Sequence, residues 1–160
     1  MKYLEYIFDK SALQEHPELL TKVGGKALNL YHLTEENIPV PRWWCLSTDL
    51  FLNDNLLAEN IVKSEFPKNI FYAVRSSANI EDGADASFSG QFKTLLYVPH
   101  QKIESAIKEC WDSANQDNVT DYLNEKNISR TELKMGVIIQ QMVNSKKSGV
   151  LTRQISYMAF

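Results

Sequence analysis

Three short stretches of this chain combine residue types that hold anions. In Gly24-Gly25-Lys26 two glycines precede a lysine where a loop enters an apolar-periodic segment. The first N–H groups of a helix have no internal partner, and the helix dipole favours negative charge at that end. Glycines let a ligand approach the backbone there, and Lys26 adds a full positive charge. A first-turn lysine opposes the dipole, which argues for an anion that offsets it. The same residues also fit a flexible turn followed by a solvated lysine. They lack the G-x-x-x-x-G-K-[ST] spacing, so this is not a P-loop.

Val74-Arg75-Ser76-Ser77-Ala78 places an arginine at the end of an apolar run, followed by small hydroxyl residues. A planar guanidinium beside hydroxyl donors matches phosphate oxygens. The alternative is a structural arginine paired with Glu81 or Asp82. Ala86-Ser87-Phe88-Ser89-Gly90-Gln91 closes the same loop, and small residues around one aromatic suit a backbone nest over phosphates. Ser87, Ser89 and Gly90 would form that nest, while Glu81, Asp82 and Asp85 read as solvated carboxylates rather than metal ligands. Gln140-Gln141-Met142-Val143 ends an apolar strand. An edge backbone at Gln141, Met142 and Val143 could meet the donor and acceptor of an adenine ring with Met142 against its face, although such a run also reads as plain core.

The remaining reactive types carry less. His16, His32 and His100 are not arranged as a triad and read as surface or satisfied histidines. No spacing of His, Cys, Asp or Glu suggests a zinc site, so no metal ligand is assigned. Cys45 and Cys110 lie far apart without a C-x-x-C partner and read as buried reduced thiols.

The elements that must position these residues follow from periodicity. Residues 4–8 and 42–46 read as strands, as does 70–74, which is β-branched and aromatic. A long loop is expected over 76–90, then strands over 92–98 and 135–143, and a last strand from Val150 after the turn at 146–149. Apolar residues at Ala27, Leu30, Tyr31 and Thr34 predict a short helix before Ile38-Pro39, and Ser47 or Thr48 can cap a helix to about Leu57. Ile103, Ala106, Ile107, Cys110, Trp111 and Ala114 give the clearest helical face. Strands and helices mix throughout, so the class is α+β or mixed α/β.

The 160 residues, 44% hydrophobic and 23% charged, suit a globular domain or part of a larger fold. The net charge of −3 without a basic stripe argues against nucleic-acid binding. No apolar run is long enough to span a bilayer, and Glu5 interrupts any signal-like stretch. The reading is a cytoplasmic protein without a membrane or nucleic-acid partner. The apolar end at Ile155-Ser156-Tyr157-Met158-Ala159-Phe160 is read as a stop part-way through a larger fold.

In order, V-G-G-K-A-L-N-L at 23–30, I-P-V-P at 38–41, A-V-R-S-S-A at 73–78, E-D at 81–82, A-S-F-S-G-Q at 86–91, C-W at 110–111, Q-Q-M-V at 140–143 and S-G-V at 148–150 resemble one family. It is the N-terminal nucleotide-binding domain shared by phosphoenolpyruvate synthase, pyruvate phosphate dikinase and rifampin phosphotransferase. The resemblance covers nearly the whole chain and implies an ATP-grasp-like first lobe, a mostly antiparallel sheet flanked by helices, with residues 1–160 ending before the second lobe.

The resemblance further implies that Lys26 and Arg75 bind ATP phosphates under the loop of Ser87, Ser89 and Gly90. Gly24, Gly25, Ser76 and Thr94 support them, and Gln141, Met142 and Val143 form the adenine hinge. Family members transfer phosphate from ATP through a histidine on a separate domain to an acceptor, with Mg2+ held by the second lobe. By itself this chain is then expected to be inactive, its partners being ATP, the C-terminal lobe and the phosphohistidine and acceptor domains. A stand-alone nucleotide-binding or regulatory module is the alternative, and a degenerate relative kept as an interaction surface is another. Two departures stand out: Ala27 follows Lys26 where many members have a third glycine, and Gly149-Val150-Leu151-Thr152 lacks the phenylalanine usual before the threonine.

Overall fold

Five strands carry the apolar, β-branched runs of the sequence: β1 (Ile7–Phe8), β2 (Trp43–Leu46), β3 (Phe71–Ala78), β4 (Thr94–Pro99) and β5 (Met135–Gln141). The computed structural model describes residues 6–51, 66–80 and 92–149. The strands form one sheet in the order β1-β2-β5-β3-β4, and each neighbouring pair is antiparallel. The helices are α1 (Lys10–Glu15), α2 (Gly25–Glu35), α3 (Thr48–Phe51), α4 (Ile103–Asp112) and α5 (Asp117–Glu125). This is the α+β class read from the sequence, in the mostly antiparallel arrangement with flanking helices that the resemblance implies for an ATP-grasp-like first lobe.

Register and pleat divide the sheet into two faces, because side chains alternate along each strand and directly paired residues share a side. Trp44, Ile139, Val74 and Leu95 form one transverse row. On that side Val74 and Ile139 pack with Ile107, Cys110 and Trp111 of α4 and with Val119 and Leu123 of α5. Cys45, Ile138, Arg75 and Thr94 form the parallel row on the other side. There α1 and α2 cover Cys45 and Ile138 through Leu13, Ala27 and Leu30. Arg75 is half-buried and Thr94 exposed, so the covering fades toward β4.

Four elements depart from the sequence expectation. β3 continues to Ala78 instead of giving way to a loop at Ser76. Serine is a weak strand former, but Ser76 and Ser77 pair with Val137 and Gly136 of β5 and are fully buried. Strand propensity yields to such a ladder. β4 starts at Thr94: the preceding Lys93 N–H donates to the Ser113 hydroxyl at 3.2 Å, while the Lys93 carbonyl still accepts from Ser76 N–H of β3 at 3.2 Å. α5 is a helix the periodicity did not single out: only Val119 and Leu123 of its nine residues are buried. β5, expected to run to Val143, ends at Gln141 and lies in the middle of the sheet, since β2 pairs it on one side and β3 on the other. The edge backbone read at Gln141, Met142 and Val143 begins at its last residue. Residues 52–65 and 150–160, where a longer third helix and a last strand were expected, lie outside the described residues.

β4 also carries an irregularity that shapes the surface. Tyr72 pairs with Val98 and Val74 with Leu95, so Leu96 and Tyr97 together oppose the single residue Ala73. Tyr97 takes a left-handed φ of 55° there. Such a bulge re-aims side chains, and Leu96 and Tyr97 are 58% and 64% exposed.

Candidate functional site

The start of α2 is fastened to the end of β3. Ala27 N–H donates to the Ser77 hydroxyl at 3.0 Å, and Lys26 Nζ donates to the Ser76 carbonyl at 3.1 Å. A side chain on Gly24 would place its Cβ 1.9 Å from the Ser77 carbonyl oxygen. Gly24 has an ordinary φ of −81°, so space and not backbone conformation requires glycine here. The neighbour that comes close is this chain's own strand, where the sequence suggested room for a ligand.

Arg75 stands one residue before this junction, on the side of the sheet that α2 covers. It pairs with Ile138 on β5 and with Thr94 on β4. Among the described residues no carboxylate lies within ion-pair distance of Arg75. Glu81 and Asp82, the partners weighed from sequence, lie outside those residues, as do Ser87, Ser89 and Gly90. Thr94 lies directly across from Arg75 at the exposed start of β4. Ser76 contributes differently from expectation. Its side chain is fully buried on the opposite side of the sheet, its Oγ has no hydrogen-bond partner, and its carbonyl is the group that meets Lys26.

Gln141, Met142 and Val143 come at the far end of β3. Gln141 N–H donates to the Arg42 carbonyl at 2.8 Å and Met142 N–H to the Phe71 carbonyl at 2.9 Å. Those two donors are therefore used inside the fold. The Val143 carbonyl accepts from Ser145 N–H at 3.0 Å, and Val143 is 56% exposed. A cleft of about 360 Å³ opens here, lined by Ile70, Phe71, Tyr97, Met142, Val143 and Asn144. Phe71 and Tyr97 meet edge to face with ring centroids 6.3 Å apart.

The structure thus brings Gly24, Gly25, Lys26, Arg75, Ser76 and Thr94 to one end of β3 and sets Gln141, Met142 and Val143 at the other. Ser77, Phe71 and Tyr97 belong with these groups and were missed. Ser77 would have been found by carrying the strand three residues beyond Val74, where alternation puts it on the side of Arg75. Phe71 reads as core in sequence, and only the bulge exposes Tyr97. His100 is buried with its Nε2 unpartnered, neither a surface nor a fully satisfied histidine. Among the described residues, no three His, Cys, Asp or Glu side chains gather as a metal site would require.

A family profile described as pyruvate phosphate dikinase, AMP/ATP-binding domain, matches residues 56–154. The chain belongs to this family. The matched region contains Arg75, Thr94 and Gln141-Met142-Val143, while Lys26 precedes it. Among curated relatives, an uncharacterized phosphotransferase of Bacillus subtilis, YvkC, is 32% identical, over 80% of this chain and 19% of its own length. A probable phosphoenolpyruvate synthase of Archaeoglobus fulgidus is 40% identical over 52% of this chain and 11% of its own. A rifampicin phosphotransferase of Bacillus cereus is 30% identical over 81% and 20%. The chain therefore corresponds to about a fifth or less of the length of these relatives. As a pyruvate phosphate dikinase-family AMP/ATP-binding domain, it is an ATP-binding lobe. Among the described residues, no helix is long and apolar enough to cross a membrane.

Proposed function

We propose that this domain forms one wall of the ATP site of a phosphoenolpyruvate synthase-like dikinase, with the phosphates at Lys26 and Arg75 and the adenine at Gln141, Met142 and Val143. The observation that carries this reading is the polarity of β3. Phe71 and Arg75 lie four residues apart on one side of the strand, about 13 Å at 3.3 Å per residue. The Phe71 end is apolar and concave. The Arg75 end holds two cations and the Thr94 hydroxyl. An extended nucleoside triphosphate has the same sense and a similar length, base at one end and charge at the other.

In this reading Lys26 and Arg75 supply fixed positive charge to the phosphates, and Ser87, Ser89 and Gly90, outside the described residues, would add the small-residue loop that the resemblance implies. Phosphoryl transfer depends on such positioning and charge compensation. Mg2+ would enter with the nucleotide and, as the resemblance implies, take its protein ligands from a second lobe. The phosphate would then pass to a histidine on a separate domain and on to an acceptor, as the resemblance implies.

Nucleotide titration calorimetry on the full-length protein tests the site. Arg75→Ala and Lys26→Ala should each weaken Mg2+-ATP binding by about 1.5–3 kcal/mol, the worth of a hydrogen bond to a charged group. Unchanged affinity in both variants would sink the assignment.

A further inference from the structure

We propose that Ser77 is a positioning residue for Lys26, acting through the first turn of α2. The proposal rests on the reading of Lys26 as a phosphate-binding group. An α-helix begins with N–H groups that lack partners, and a Ser, Thr, Asp or Asn at the N-cap usually satisfies one of them at N2 or N3. In α2 the N-cap is Gly24, which has no side chain to do so. The Ser77 hydroxyl, fifty residues away in sequence, accepts that bond from Ala27, the third helical residue, at 3.0 Å in a buried setting. The cap is thus supplied by the strand that also carries Arg75.

Two further contacts make the junction specific. The Ser77 carbonyl lies against Gly24 so closely that no Cβ fits between them. The neighbouring Ser76 carbonyl receives Lys26 Nζ at 3.1 Å. Gly24, Lys26 and Ala27 are therefore tied to Ser76 and Ser77, immediately after Arg75 in the same strand. A lysine ends in a point charge on a flexible four-carbon stem, so its placement depends on what holds its backbone and its head. Donors fixed before the ligand arrives stabilise developing charge without reorganisation. Ser77 gives Lys26 and Arg75 one common frame.

The test is a double-mutant cycle in the full-length protein, read as Mg2+-ATP affinity by calorimetry for wild type, Ser77→Ala, Lys26→Ala and the double variant. Ser77→Ala should weaken binding roughly three- to tenfold, within the range seen for coupled neighbours. In the Lys26→Ala background the same change should shrink below about twofold, because the residue it positions is gone. An equal loss in both backgrounds would mean a merely structural role and would overturn the proposal, as would the absence of any loss. A second readout needs no nucleotide. Acylation of Lys26 by an amine-reactive ester, followed by mass spectrometry and referred to Lys108, should quicken in Ser77→Ala, and an unchanged rate overturns the proposal. If Lys26→Ala and Arg75→Ala both leave ATP affinity intact, the phosphate site itself fails, a result separate from any outcome for Ser77.

Discussion

Cys110 lies under β3, where its thiol points at the Val74 and Lys93 carbonyls, each 3.7 Å away. Burial, with Glu109 adding to it, pushes this thiol from its ordinary 9.0 up to about 12. Burial raises Cys45 further still. Between pH 9 and about 12 the unfolded chain therefore releases protons that the folded chain retains. Stability is then independent of these thiols below pH 9 and falls above it, by about 1.4 kcal/mol per pH unit for each thiol. Urea denaturation between pH 8 and 10 should show that bend, and Cys110→Ala should remove about half of the added slope. An unaltered slope in Cys110→Ala would refute the assignment. Both cysteines were legible as buried thiols, since neither has a partner and Cys110 sits at helical spacing from Ile107. The role of Ser77 was not legible. Its value comes from a helix start fifty residues earlier, and nothing in the local sequence marks that pairing.

At the scale of elements, α4 is the part that sequence describes best, because its apolar positions recur at helical spacing and all meet the sheet. Ile107 is fully buried against it. Ile107→Ala should cost about 2–5 kcal/mol in urea denaturation, the transfer loss plus the cavity left behind. Breaking the exposed Lys108–Glu104 pair, 3.1 Å apart on the same helix, should cost no more than about 0.5 kcal/mol. Similar costs for the two changes would mean that α4 is not held by its apolar face. β3 was readable only as far as Val74. Beyond it the residues look like a loop, and the partner that keeps them extended is β5, some sixty residues later. α5 was hidden for a related reason: Val119, Tyr122 and Leu123, at i, i+3 and i+4, mark only about one turn, too little to distinguish a helix from a turn-rich linker. Tertiary pairing decides both cases.

For the whole molecule, the mixed class was predictable from the mixture of strand and helix runs, and the antiparallel sheet was implied by the family resemblance, but the orientation of the site was not. It depends on how five strands line up. Register places Arg75 level with Thr94, and a bulge at Leu96-Tyr97 turns two apolar side chains outward near Phe71. The result is an open side of β3 and β4 that is cationic at one end and aromatic at the other. Phe71 at 53% and Tyr97 at 64% exposure are poorly placed to stabilise the fold by burial, and a ligand base resting on them would use that area. The two ends can be separated by comparing Mg2+-ATP with inorganic tripolyphosphate, which lacks the base. Phe71→Ala combined with Tyr97→Ala should weaken ATP by roughly 1–3 kcal/mol, the scale of stacking a base on aromatic rings, and leave tripolyphosphate unchanged. Arg75→Ala should weaken both ligands. If the aromatic variant weakens tripolyphosphate as much as ATP, the base does not lie on the Phe71 end. The sense of the nucleotide along β3 would then have to be reversed.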